Sequence, residues 1–254
     1  AAVGNVLFNY RMFLLHKDAK YLDVAEVALL NNVLAAVNLE GNKFFYVNPL
    51  DADGKYPFNH GAAGRSPWFG TACCPSNMAR LLPQVPGMTY AHDDDDLYIT
   101  FYAESETSVD IGGTSVAVQQ KTAYPNEGEI CITVNPKQAS NFRMLLRIPT
   151  WTQDRFVPGE LYRYVDSSSE KVVLKVNGKR ADDAAMSIEN GFVAIERTWQ
   201  AGDRVELHLP MPLRLSECHP AVAANTGRLA FTRGPFVMCA EGVDNGGATQ
   251  RFVV

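Results

Sequence analysis

Apolar positions in the first forty residues recur with a helical period. Val3, Leu7, Tyr10 and Leu14 fall on one face, with Val6, Phe13 and Leu15 beside it. So wide an apolar surface predicts a helix packed on more than one side. Asp18 stands where it can cap a second helix, in which Leu22, Ala25, Leu29, Val33 and Val37 keep the period until Glu40-Gly41 stops it. Asn31-Asn32 lowers the helix propensity in the middle but leaves the period intact. Two antiparallel helices with a short connection are the unit of helical bundles and of toroidal helix-pair barrels. No capping residue precedes the first turn, which predicts that Ala1 enters mid-helix, as in a segment of a longer protein.

The pattern then changes. Phe44 to Leu50 reads as extended and ends after a proline, and Asp51 to Pro67 is a turn-rich stretch punctuated by Gly54, Pro57, Gly61 and Gly64. A long irregular stretch of this kind predicts a functional loop. A short helix is predicted over Ser76–Leu82, closed by Pro83 and Pro86. From about Met88 the text alternates like strands: 97–102, 115–118, 130–134, 142–148, 171–176, 192–196, 204–209 and 229–232. Asn177-Gly178 is a hairpin signal. The prediction is an α + β multidomain chain, helices first and a β-sandwich second.

Composition narrows the function. Apolar residues make up 46% and charged residues 20%, which excludes a wholly disordered or collagen-like chain. Twenty-three basic against 28 acidic residues give net charge −5, which argues against nucleic acid as a partner. No run approaches the length of a membrane span. Five cysteines without regular spacing are a poor disulfide framework. Cys131 and Cys239 lie in strand-like apolar runs and read as buried and inert, and Cys218 reads as a loop residue beside His219. Cys73-Cys74-Pro75 is different. Neighbouring thiols at a helix N-terminus suit a shared soft metal or one reactive sulfur. His60, within the glycine-rich loop, and Tyr46 and Trp68, which bracket it, are candidate sugar contacts. The run His92 to Asp96 reads as a solvated turn, and His208 as an outward-facing strand residue.

The segments Phe44-Phe45-Tyr46-Val47-Asn48-Pro49-Leu50 and Trp68-Phe69-Gly70-Thr71-Ala72-Cys73-Cys74-Pro75-Ser76-Asn77-Met78-Ala79-Arg80 resemble the β-L-arabinofuranosidases of glycoside hydrolase family 127, the former DUF1680 group. The resemblance continues through Leu146-Arg147-Ile148-Pro149-Thr150-Trp151, Lys175 to Gly178, Trp199 with Gly202-Asp203, and Arg233 to Cys239. It implies the C-terminal part of an (α/α)6 helical barrel over residues 1–88 and an antiparallel β-sandwich region over 89–254, with about 156–212 a second sandwich or an insertion. It further implies a retaining glycosidase with Cys73 as nucleophile, and a zinc ion held by Cys73, Cys74, one further cysteine and a glutamate. Tyr46 matches a tyrosine of the family's sugar pocket.

In the family the remaining zinc ligands form a Glu-x-Cys motif just ahead of a helix that starts much like Ala1–Asn5, and the acid/base glutamate also lies upstream. These residues therefore hold half of the zinc ligands and no proton donor, and the chain alone is expected to be inactive and to bind zinc weakly. The alternatives are a non-catalytic carbohydrate-binding or interaction module, or a related glycosidase acting on another sugar. The resemblance leaves the compartment open between the bacterial cytoplasm and the periplasm or cell surface, and leaves the oligomeric state unread.

Overall fold

The helical period of the opening residues is realised as α1 (Ala2–His16) and α2 (Lys20–Ala28). The computed structural model describes residues 1–49, 52–182 and 186–247. Leu50 and Asp51, where the extended segment meets the turn-rich loop, and the final residues 248–254 lie outside the described residues. The buried stripe of α1 is narrower than the sequence predicts. Val6, Asn9 and Phe13 are buried, Val3, Leu7 and Tyr10 pack partly against the core, and Leu14 and Leu15 face outward. Asp18 sits one residue before the N-cap of α2, which is Ala19 and has no side-chain cap; Asp18 instead accepts the Lys20 N–H at 3.0 Å in the turn leading into the helix.

The second helix stops earlier than Glu40. Its last turns, Leu29–Leu34, widen to π geometry, and Val37 has left the helix to bridge Phe44. Asn31 gives the physical reason. Its Nδ2 takes the Val27 carbonyl at 3.0 Å, competing with the helical N–H, and also donates to the Pro235 carbonyl at 2.8 Å. Its Oδ1 accepts the Val237 N–H at 2.7 Å. A third helix, α3 (Cys73–Leu81), begins three residues earlier than predicted. Pro75 fits in its first turn, where a missing N–H costs nothing. A 3-10 stretch, Leu82–Met88, follows and carries Pro83 and Pro86.

The strands are β1 (Tyr90–His92), β2 (Asp96–Ile99), β3 (Ser105–Ile111), β4 (Thr114–Thr122) and β5 (Glu129–Pro136). Next come β6 (Ser140–Arg147), β7 (Tyr162–Tyr164), β8 (Val173–Val176), β9 (Lys179–Arg180) and β10 (Ile188–Glu189). The last are β11 (Phe192–Trp199), β12 (Asp203–His208), β13 (Leu213–Cys218), β14 (Leu229–Arg233) and β15 (Phe236–Val237). One sheet runs β1-β2-β6-β11-β10 and a second β3-β4-β5-β12-β8-β9. Apolar residues alternate on their facing sides: Leu97, Ile99, Met144 and Leu146 from the first meet Val116, Ile132, Val134 and Val205 from the second. Pairing is antiparallel except between β2 and β6, which run parallel. Residues 156–212 are spread over three sheets, supplying β8, β9 and β12 to the second, β10 and β11 to the first and β7 to another. A third sheet runs β15-β14-β13-β7. Asn177-Gly178 turns the β8–β9 hairpin with both residues at positive φ, as predicted.

Several readings change. The strands β1, β3, β7, β10, β13 and β15 are additional to the predicted set, and Cys218 ends β13 rather than sitting in a loop. Cys131 is only half-buried, and Cys239, beyond β15, is exposed, so neither is an inert core thiol. The acidic run is not wholly solvated: Asp96 is buried and paired with Arg143, whose Nε donates at 2.6 Å. His208 does face outward, against Glu129 at 2.6 Å.

The helices cover the outer face of the first sheet through Phe13, Leu22, Tyr98 and Phe192. At that junction β6 places Arg147, fully buried, opposite α2. Its Nη1 donates to Asp23 at 2.7 Å and its Nη2 to Glu26 at 2.5 Å. Thr150 donates twice to Asp23, and the Tyr124 hydroxyl donates to Glu26 at 2.7 Å. Burial raises the Asp23 pKa in spite of Arg147. Burial works against the charge on Arg147 as well, but the Glu26 and Asp23 carboxylates leave its pKa raised. Arg147→Ala strands two buried carboxylates, so the unfolding free energy is expected to fall by about 3–5 kcal/mol. Urea denaturation measures this; a loss near zero would contradict the role given to the cluster.

Candidate active site

The turn-rich loop is organised by one buried amide. Asn59, fully buried, accepts the N–H of Tyr46 at 2.7 Å and of Val47 at 3.3 Å through Oδ1, while Nδ2 donates to the Gly64 carbonyl at 2.8 Å. Its backbone pairs with Ala62 across a tight turn in which His60 and Gly61 both have positive φ. That conformation strains a side-chain-bearing residue at His60 and suits the glycine after it. The turn lays the His60 ring edge-on to Tyr46, centroids 4.1 Å apart, and Phe69 packs beside both at 5.6 and 5.8 Å. Phe44 closes the cluster against Phe69 at 4.9 Å.

The Tyr46 hydroxyl reaches Cys73 Sγ at 3.1 Å. Cys73 is exposed at the first position of α3, Asn77 Nδ2 donates to its carbonyl at 2.7 Å, and its neighbour Cys74 is half-buried. The two thiols diverge. The Tyr46 hydrogen bond, aided by Cys74 and by backbone N–H groups, pulls the Cys73 pKa down against the effect of burial. Burial, followed by the hydrogen bond to Cys73, pushes the Cys74 pKa up. The free N–H groups and dipole of a helix N-terminus favour the thiolate in the same sense. Hydrogen bonding to Cys73 in turn raises the Tyr46 phenol.

The structure thus brings Tyr46, His60, Cys73 and Cys74 together. Trp68 stands nearby in sequence, but it is 61% exposed and makes none of the ring contacts of this cluster among the described residues. Phe69, its neighbour, is the ring that packs there. Phe69 and Asn59 are the residues that sequence reasoning missed. An Asn-His dipeptide in a glycine-rich loop carries no signal for burial, and the apolar Phe69 was overshadowed by the indole beside it. Two sulfurs are half of the four donors that tetrahedral zinc takes. Among the described residues no third His, Cys, Asp or Glu joins them, so these residues do not form a zinc site by themselves. The hydrogen-bond partners of the sulfurs and of Tyr46 likewise include no carboxylate among the described residues.

Known proteins share the sequence and the fold of this chain. Family models described as the GH127 β-L-arabinofuranosidase catalytic domain, the GH127 middle domain and the family 127 C-terminal domain match residues 1–87, 96–211 and 213–254. The chain belongs to glycoside hydrolase family 127. A curated family 127 relative, the non-reducing end β-L-arabinofuranosidase of Bifidobacterium longum subsp. longum, is 32% identical over 97% of this chain and 36% of its own length. A solved GH127 β-arabinofuranosidase superposes with a TM-score of 0.88 at 41% identity, over 96% of this chain and 37% of that one. The GH127 β-L-arabinofuranosidase of Geobacillus stearothermophilus T6 gives 0.83 at 37% identity, over 96% and 36%. The family 127 chain described here therefore spans a little over a third of the length of these relatives. Its fold, part of a helical barrel followed by a β-sandwich, is that of the family. No helix among its described residues is long and apolar enough to cross a membrane.

The divergence of the two thiols has a direct readout. Alkylation by iodoacetamide, mapped peptide by peptide across pH, is expected to rise at lower pH for Cys73 than for Cys74. Tyr46→Phe removes a donor to the thiolate and is expected to move the Cys73 profile to higher pH. Coincident profiles, or no movement in Tyr46→Phe, would contradict the electrostatics described.

Proposed function

We propose that Cys73 is the nucleophile of a retaining glycosidase centre acting on β-L-arabinofuranosides of plant-type glycans. The observation that carries this reading is the 3.1 Å contact between the Tyr46 hydroxyl and Cys73 Sγ, on the exposed thiol whose pKa is lowered. A thiolate is the nucleophilic form of cysteine. In the first step a sulfur lone pair attacks the anomeric carbon, a C–S bond forms, and the bond to the leaving oxygen breaks. Water, giving a proton to the group that protonated the leaving oxygen, then attacks the same carbon opposite the sulfur; the C–S bond breaks and the thiolate returns, so two inversions give net retention. Through its hydrogen bond Tyr46 stabilises the thiolate before the attack and again as the C–S bond breaks; between the steps the sulfur is an uncharged thioether. His60, edge-on to Tyr46, and the exposed indole of Trp68 offer the sugar a polar edge and an aromatic face. The relative's name specifies the non-reducing end, which favours a terminal arabinofuranose as the substrate here.

The leaving oxygen needs a proton, and no carboxylic acid partners the sulfur among the described residues. General acid help is worth about a hundredfold to ten-thousandfold, so the 254-residue chain by itself is expected to be inactive. Zinc enters the proposal with Cys73 and Cys74 as two of its ligands; it would hold both sulfurs deprotonated, and its remaining donors would come from other residues.

The test uses protein expressed from the complete reading frame and an aryl β-L-arabinofuranoside. Cys73→Ala is expected to lower kcat at least about a thousandfold while sugar binding, measured by calorimetry, persists. Full activity in Cys73→Ala would remove the nucleophile assignment, and binding without turnover in the unmodified protein would favour a carbohydrate-binding module. Robust turnover by the 254-residue chain would contradict the missing proton donor.

A further inference from the structure

We infer that Asn59 is the positioning residue of the thiol site, its buried carboxamide aiming the Tyr46 hydroxyl at Cys73 Sγ. The inference rests on the reading of Cys73 as the reactive sulfur. Tyr46 lies on an irregular segment with no strand ladder to hold it among the described residues: Phe44 bridges Val37 and Ser66, the Phe45 N–H donates to the Ala36 carbonyl at 2.9 Å, and no regular strand pairing reaches Tyr46 itself. Two successive backbone N–H groups, those of Tyr46 and Val47, instead converge on one atom, Asn59 Oδ1. That fixes the peptide plane on both sides of the Tyr46 Cα and with it the direction in which the phenol leaves the backbone. The amide's other end is anchored on the Gly64 carbonyl, so it cannot swing. The ring is then held from the side by His60, which the turn after Asn59 presents at positive φ. One residue thereby controls both the base of the tyrosine and its lateral contact.

A side chain this buried, with both ends of its amide satisfied by backbone, is costly to replace. Loss of stability alone would therefore not distinguish positioning from simple structural support. A double-mutant cycle does, because a residue that acts through Tyr46 has nothing further to act on once the hydroxyl is gone. The readout is the alkylation rate of Cys73 by iodoacetamide at one fixed pH, with the exposed Cys239 of the same sample as reference. Thermal melts show that each variant is folded.

Asn59→Ala is expected to slow Cys73 several-fold relative to Cys239, about as much as Tyr46→Phe does, and the double variant to be no slower than Tyr46→Phe. An unchanged rate in Asn59→Ala, or a slowing as large in the Tyr46→Phe background as in the native one, would overturn the role. Should Asn59→Ala not fold, Asn59→Ser takes its place in the same cycle, its hydroxyl too short to span both N–H groups. A Cys73 no faster than Cys239 in the unmodified chain would overturn the thiol reading itself, and the positioning role with it, before any Asn59 variant is compared.

Discussion

A guanidinium sealed between a helix and a sheet sets the arrangement on which the rest of the molecule depends. Arg147 ends β6 inside the apolar layer, and both of its carboxylate partners, Asp23 and Glu26, project from a single helix, α2. A buried ion pair of this kind adds little net stability over apolar packing, since desolvation offsets most of the attraction, but leaving one partner unpaired is costly. The cluster therefore penalises every docking of α2 except the one that pairs both carboxylates. Tyr124 and Thr150 extend the same constraint to the loops that follow β4 and β6.

That docking is passed on to the site by covalent continuity. The helix runs on into the π turn, where Asn31 clasps the β14–β15 hairpin and Asn32 receives the Asn48 amide through its carbonyl at 2.8 Å. Arg65 reaches back to the Ala35 and Ala36 carbonyls at 2.8 and 3.2 Å. The segment carrying Tyr46 is thus held at both flanks, and Asn59 fixes its centre. Facing that segment, α3 offers Cys73 at its first position, where free N–H groups already favour negative charge. Phenol and thiol belong to different elements, and their 3.1 Å meeting is a tertiary fact.

The sequence shows this architecture unevenly, for identifiable reasons. Periodic segments were legible: α1, most of α2 and the inner strands β5, β6 and β12 follow from alternation or helical spacing. The π turn was not, because Asn31 looks like a weak helix residue until its partners Pro235 and Val237, more than two hundred positions away, are placed beside it. Strand β3 alternates exposed with half-buried positions, and β13 buries Arg214 and Ser216 while exposing Leu213, so neither carries the apolar signature. At the site, the cysteine pair stood out by chemistry and Tyr46 by resemblance. Asn59 and Phe69 did not, since burial and ring packing arise only when the loop folds over them. Arg147 lay inside an apolar strand pattern that gave no indication of a paired charge.

The central claim is that Cys73 forms the covalent bond to the sugar. The most direct measurement is to quench the enzyme from the complete reading frame in acid during turnover of an aryl β-L-arabinofuranoside and to locate the glycosyl adduct by peptide mass spectrometry. The account predicts the adduct on the peptide containing Cys73, at its sulfur, and none in Cys73→Ala. An adduct on a carboxylate, or on Cys74 with Cys73 free, would contradict it.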